Sequence, residues 1–115
     1  MVINSEQGKI RISEDIVMSI ARNAVRDVDG IISISGGFPR SVASLFSRQT
    51  ATKKGVRLEK EEDHLVLNLS LEIQYGVVIP KLVEEAQEKV KRAVEGMTEI
   101  PVGLVNIFVH DVKTI

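Results

Sequence analysis

The sequence predicts an α+β fold, a two-layer sandwich in which one mixed sheet of about five strands carries two main helices on a single face. Three observations predict it. Residues 65–75 alternate strictly, with Leu65, Leu67, Leu69, Leu71, Ile73 and Tyr75 on one parity and Val66, Asn68, Ser70, Glu72 and Gln74 on the other. A period of two sends these sets to opposite faces of a sheet. Two further stretches, 14–28 and 79–97, repeat apolar residues at spacings of three and four, the helical period. The resulting order, β-α-β-β-β-α-β, gives each amphipathic helix a sheet face to cover.

Each element has its own justification. Residues 1–7 read as a flexible lead. Gly8 to Ile12 alternates apolar and basic residues and forms the first strand. Ser13 stands where an N-cap belongs, and Glu14 and Asp15 complement the positive end of the helix dipole. Ile16, Val17, Ile20, Ala21, Ala24 and Val28 continue that helix until Asp29-Gly30 stops it. Ile31 to Ser35, β-branched and apolar, is the second strand. Gly36-Gly37-Phe38-Pro39 breaks it, and residues 36–54 read as a mobile basic connection holding at most a turn or two of helix.

Val56 to Lys60 is the third strand, Glu61-Glu62-Asp63 a charged turn, and Leu65 to Tyr75 the fourth and longest strand. Pro80 suits the first turn of a helix, where its missing N–H would be unpaired anyway. Leu82, Val83, Ala86, Val90, Ala93, Val94 and Met97 form that helix's apolar stripe. Pro101 and Gly103 reverse the chain into a last strand, Leu104 to Val112, with Val105, Ile107 and Val109 on one parity. The face bearing Asn68, Ser70, Glu72 and Gln74 is expected to be wet. On that expectation Leu69→Asp unfolds the domain and Glu72→Lys leaves stability nearly unchanged.

Composition bounds the function. A chain of 115 residues is expected to be one domain, 1–115. With 43% hydrophobic and 27% charged residues it is ordinary for a soluble protein, and with only 3% aromatics its core must be aliphatic. The absence of cysteine excludes thiolate chemistry and sulfur-ligated metal. Neither a secretory leader nor a membrane-length apolar run is visible, so a cytoplasmic location is expected. The net charge of −1 argues against a general nucleic-acid binder. That charge is uneven: residues 1–55 hold 8 basic and 5 acidic groups, residues 56–115 hold 7 and 11.

No catalytic constellation is legible. His64 and His110 lack the convergent ligands of a metal site, and both read as solvated or edge histidines. Glu59, Glu61, Glu62 and Asp63 read as a soluble hairpin tip, and Glu84, Glu85 and Glu88 as the polar side of a surface helix. Gly36-Gly37 lacks both P-loop and dinucleotide spacing. Ser13, Ser33, Ser35 and Ser41 lack a nucleophile elbow. No catalytic residue, metal or cofactor is therefore expected. The one surface signal is the acid-free interval between Asp29 and Glu59, which carries Arg40, Arg48, Lys53, Lys54 and Arg57, with Phe38, Leu45 and Phe46 as apolar anchors. Arg40, Phe46, Arg48, Lys53, Lys54 and Arg57 are its candidate partner-binding residues, suited to an acidic partner, anionic headgroups or RNA.

The segments Gly8-Lys9-Ile10, Val28-Asp29-Gly30-Ile31 and Lys54-Gly55-Val56 resemble the alkaline shock protein family of bacterial envelope stress-response proteins. The resemblance is most specific at Tyr75-Gly76-Val77-Val78-Ile79-Pro80 and Val105-Asn106-Ile107, where the family pattern reads Tyr-Gly-Val-x-Ile-Pro and Val-Asn-Val. It implies a non-enzymatic cytoplasmic scaffold or adaptor in cell-envelope homeostasis, working through protein-protein contacts. Among relatives it implies association with the inner face of the membrane through a small membrane-anchored partner, and self-association into homo-oligomers. An RNA-binding module using the basic loop is the alternative, opposed by the acidic balance and by the lack of paired aromatics on a strand.

Overall fold

The computed structural model describes residues 1–36, 38 and 50–114, and for Thr50 the backbone only. Among these residues seven strands and two helices follow one another. They are β1 (Val2–Ser5), β2 (Gly8–Arg11), α1 (Glu14–Arg26), β3 (Ile31–Ile34), β4 (Thr50–Lys53), β5 (Val56–Lys60), β6 (Leu65–Gln74), α2 (Ile79–Thr98) and β7 (Val102–Lys113). β1 and β2 form a separate antiparallel hairpin, and the other five strands form one mixed sheet. The lead 1–7, read as flexible from sequence, thus supplies β1. Its four residues are too short to show a period, and only pairing across the Glu6-Gln7 turn makes them a strand. Residues 50–53, assigned to the mobile connection, likewise become β4 by pairing with β5. The rest of that connection, Gly37 and 39–49, lies outside the described residues.

β6 organises the sheet. β7 runs parallel to it along its whole length, a pairing that needs the crossover helix α2. On its other side β5 pairs antiparallel with Leu65–Leu69 and β3 with Leu71–Ile73, so two strands share one edge end to end. They meet at Ser70, whose N–H donates to the Gly55 carbonyl and whose carbonyl accepts from the Ser35 N–H. The odd-numbered aliphatics of β6 are sealed, from 0% exposed at Leu67, Leu69, Leu71 and Ile73 to 3% at Leu65. Val56, Leu58 and Val105 join them beneath both helices.

Both helices start as their sequences ask. The Ser13 Oγ accepts from the Ile16 N–H at 3.3 Å, capping α1. Val17, Met18, Ala21 and Val25 form its buried stripe. Pro80 lies in the first turn of α2, and Leu82, Ala86, Val90, Val94 and Thr98 form its buried stripe. Met97, assigned to that stripe from sequence, is 72% exposed, and the buried neighbour is Thr98. The threonine is affordable inside because its Oγ1 donates to the Val94 carbonyl at 2.6 Å and accepts from the Ile100 N–H at 3.1 Å. At Gly30 (φ +98°) an added Cβ would stand 2.8 Å from both Leu82 Cδ1 and Val77 Cγ1, so only glycine lets this turn close on α2.

The expected wet face is wet only at its end, where Gln74 is exposed. Asn68, Ser70 and Glu72 are 4%, 0% and 9% exposed. β6 is flanked along both sides, and long polar side chains from its neighbours close over it. Asn68 donates to Glu59 on β5 at 2.9 Å and accepts from Asn106 on β7 at 3.0 Å, a chain of amides and carboxylate spanning three strands. Lys113 lies 3.3 Å from the Glu72 carboxylate. The Phe38 ring packs on the Arg57 guanidinium, 5.3 Å from centroid to Cζ. Alternation correctly marks this face as polar, but polarity and exposure part company on a central strand.

Candidate docking site

Two local devices build a basic cleft. Along α1, Ser19, Arg22, Asn23 and Arg26 recur at helical spacing and so share one side of the helix, next to the buried stripe. Opposite them, the two-residue turn Lys54-Gly55 joins β4 to β5. Lys53 pairs with Val56, and both turn residues have positive φ, +45° and +81°, as a type I′ hairpin turn requires. Gly55 is obligatory, since a Cβ there would lie 2.8 Å from the Ser35 backbone nitrogen. Lys54 has no such excuse. A left-handed lysine costs about 1–2 kcal/mol that Gly or Asn would largely avoid.

Arg22 fixes the two walls together. Its Nη2 donates to the Ile34 carbonyl at 2.9 Å and its Nε to the Lys54 carbonyl at 3.3 Å. Between the walls lies a cleft of about 250 Å³ lined by Met18, Ser19, Arg22, Asn23, Arg26, Lys53 and Lys54. A second hollow of about 180 Å³ shares Arg22 and Arg26 with residues 31–34. Four cations therefore converge. Lys53 has only a loose ion pair with Asp15 at 3.8 Å, and neither Arg26 nor Lys54 makes an ion pair among the described residues. Such a cleft is suited to an anionic group, and among its described lining residues no nucleophile is paired with a base.

Of the residues singled out from sequence, Lys53 and Lys54 meet in this cleft. Arg57 does not: its register partner is Asn68, so it belongs to the polar face, against Phe38. Arg40, Phe46 and Arg48 lie outside the described residues. Arg22 and Arg26 are not among the residues singled out from sequence: they precede the acid-free interval, inside a helix bounded by Glu14, Asp15, Asp27 and Asp29. The signal that would have found them is the second, polar stripe of α1. The two histidines do not converge. His64 precedes β6, its Nδ1 2.7 Å from Asp63 Oδ1 in a contact that holds the exposed Asp63 carboxyl below its ordinary value. His110 bulges from β7 opposite the far end of β6, with Nε2 buried next to Gly36. Among the described residues no group of three or more potential ligands gathers, and no helix is long and apolar enough to cross a membrane.

Comparison with known proteins bears on this architecture. The model of the alkaline shock protein 23 family, described as having a cell envelope-related function, matches residues 2–114. YqhY of Bacillus subtilis (strain 168) is 28% identical over 106 residues, 92% of this chain and 78% of that protein. Spy1535 of Streptococcus pyogenes is 34% identical over 106 residues, 91% of this chain and 79% of that one. A Streptococcus pyogenes protein named stress response regulator gls24 homolog is 24% identical over 108 residues, and this chain spans about 60% of its length. Among solved structures a doubly substituted MamM CTD superposes with a TM-score of 0.51 at 13% identity, covering 84% of this chain and 90% of that one. That likeness concerns the fold alone.

Proposed function

The chain belongs to the alkaline shock protein 23 family, and from that premise we propose that it is a non-enzymatic cytoplasmic adaptor in the envelope stress response, docking an acidic segment of a partner protein in the cleft between α1 and the β4–β5 turn. One observation carries the reading. Among the described residues Arg26 and Lys54 stand without ion pairs, in a hollow whose walls Arg22 locks together. The β4–β5 turn requires the left-handed conformation at position 54, where Gly or Asn would cost less, so a lysine there is better explained by what its side chain meets than by folding. The partner's carboxylates supply the missing countercharge. A small membrane-anchored partner would bring the protein to the inner face of the membrane without inserting it.

The test uses a fluorescent peptide rich in Asp and Glu and, separately, a fluorescent single-stranded RNA. Their anisotropy is followed against the intact chain and an Arg26→Glu/Lys54→Glu variant over a range of salt. The peptide should bind, and the double reversal should weaken it by about a hundredfold, roughly tenfold per charge. Binding of RNA in preference to peptide, with a steep salt slope, would instead establish the nucleic-acid module. Peptide affinity unchanged by the double reversal would remove the cleft from the function.

A further inference from the structure

The lysines of this chain are not equivalent. Lys53, Lys60, Lys89 and Lys113 each hold an ion pair, whereas Lys9, Lys54, Lys81 and Lys91 hold none among the described residues. Within the second group Lys54 is set apart by its surroundings. Lys81 has Glu84 and Glu85 three and four places on along α2, on its own side of the helix. Lys91 lines the groove between α2 and β7 together with Glu84 and Glu88. Lys9 stands on the β1–β2 hairpin opposite the uncharged Asn4. Lys54 alone shares a cleft with Arg22, Arg26 and Lys53, and no acid is among the described residues of that lining.

The position is also fixed and open. Lys53 pairs with Val56 across the turn, and Arg22 Nε ties the Lys54 carbonyl to α1 at 3.3 Å. The Lys54 backbone is therefore held against the arginines, and only its four-carbon stem is free to turn. Lys54 itself is exposed, so a small reagent reaches it from solvent. Lys53, by contrast, faces Asp15 at 3.8 Å.

We propose that Lys54 is an acylation site and that its acyl donor is a small acyl phosphate. Arg26 and Lys53 hold the donor's phosphate, and Arg22 adds its charge to theirs. The acyl carbon is then kept within reach of Lys54 Nζ. The unprotonated amine attacks that carbonyl carbon. A C–N bond forms, the C–O bond to phosphorus breaks with its electron pair on the oxygen, and inorganic phosphate departs. The proton lost by the nitrogen passes to water. The surrounding cations stabilise the charge that gathers on the leaving phosphate. The product is an uncharged amide. Acylation thus removes one of the four cations and places an acyl group in the cleft. On the reading of this cleft as the dock for an acidic segment, on which this consequence alone rests, the modification closes the dock.

Acetyl phosphate is the probe. The full chain is treated with it in mildly alkaline buffer, and each lysine is followed in time by peptide mass spectrometry. Lys54 should be acetylated about tenfold faster than Lys91, which serves as the internal reference. Arg26→Glu, at an exposed position of α1, should remove most of that advantage while cooperative melting is retained and the rate at Lys91 stays the same. Excess inorganic phosphate should protect Lys54 and spare Lys91. Acetic anhydride, an uncharged donor, should show no dependence on Arg26, which separates recruitment of the phosphate from simple access. Equal rates at Lys54 and Lys91, a preference for Lys53, or a Lys54 preference indifferent to both Arg26→Glu and phosphate would overturn the inference. The acetylated chain should then bind the Asp- and Glu-rich peptide about tenfold more weakly than the untreated chain. Selective acetylation of Lys54 with peptide affinity unchanged would uphold the acylation site and remove docking from the cleft.

Discussion

As far as Ile73 the two faces of β6 are both dry, and they are unlike in every other respect. Its helix-side face is sealed by Leu65, Leu67, Leu69, Leu71 and Ile73, whose burial is favourable in itself at about 25 cal/mol per Å² of apolar surface. Its other face buries Asn68, Ser70 and Glu72, whose burial is tolerable only where each polar atom finds a partner. Asn68 finds Glu59 and Asn106, and Glu72 finds Lys113. The first face tolerates approximate packing; the second depends on specific atoms. Stability on one side is a matter of area, on the other of pairing.

The widest separation between the faces should come from Leu69→Asp, which sets an unpaired carboxylate in the sealed aliphatic layer. It should cost more than about 4 kcal/mol, and circular dichroism should show no cooperative melt. A folded Leu69→Asp protein would mean that the aliphatic face is not the one holding the domain together. Glu72→Lys comes next. It removes the ion pair to Lys113 and faces two cations across neighbouring strands, at about 1–3 kcal/mol in urea denaturation. The swap Glu72→Lys with Lys113→Glu should recover at least half of the loss. Failure to recover would show that Glu72 is held by burial alone.

Ser70→Ala sharpens the comparison from the opposite direction. The Ser70 Oγ is buried with no hydrogen-bond partner among the described residues. Deleting it should leave stability unchanged or raise it by up to about 1 kcal/mol. A loss of that size would instead reveal a hydrogen bond to the hydroxyl.

The smallest effect belongs to a surface pair outside both faces. A hydrogen bond from Lys60, together with its charge, holds the Glu14 carboxyl below its ordinary value of 4.5. A depressed folded pKa stabilises above the unfolded value and is lost as pH falls through the folded one. Both side chains are about a third exposed, so Lys60→Met should cost at most about 0.5 kcal/mol at neutral pH. The difference between wild type and variant should vanish in acid. A deficit that persisted there would assign the effect to lost packing of the lysine stem.

What sequence made legible was periodicity. The aliphatic parity of residues 65–73, most of both helix stripes and the Ser13 cap translate directly into the structure, because each depends on neighbours a few positions away; at the ends of these patterns Ile16, Tyr75 and Met97 are exposed. What it could not show depends on partners remote in the chain. Thr50–Lys53 is a strand only because β5 lies alongside. Asn68 is buried only because β5 and β7 both flank β6. Thr98 replaces Met97 in the core because its hydroxyl can be satisfied there. The candidate cleft was half visible: Lys53 and Lys54 stood out as a charged run, whereas Arg22 and Arg26 were hidden within a helix whose apolar stripe dominated its reading.

The end-to-end placement of β3 and β5 on β6 has a consequence for how the sheet responds to change. Ile34 and Gly55 are brought together at Ser70 by β6, which pairs with the strands on both sides of that point. β6 acts as a splint across that break. β3 and β5 each hold their own register on that strand, so a change in one leaves the hydrogen bonds of the other in place.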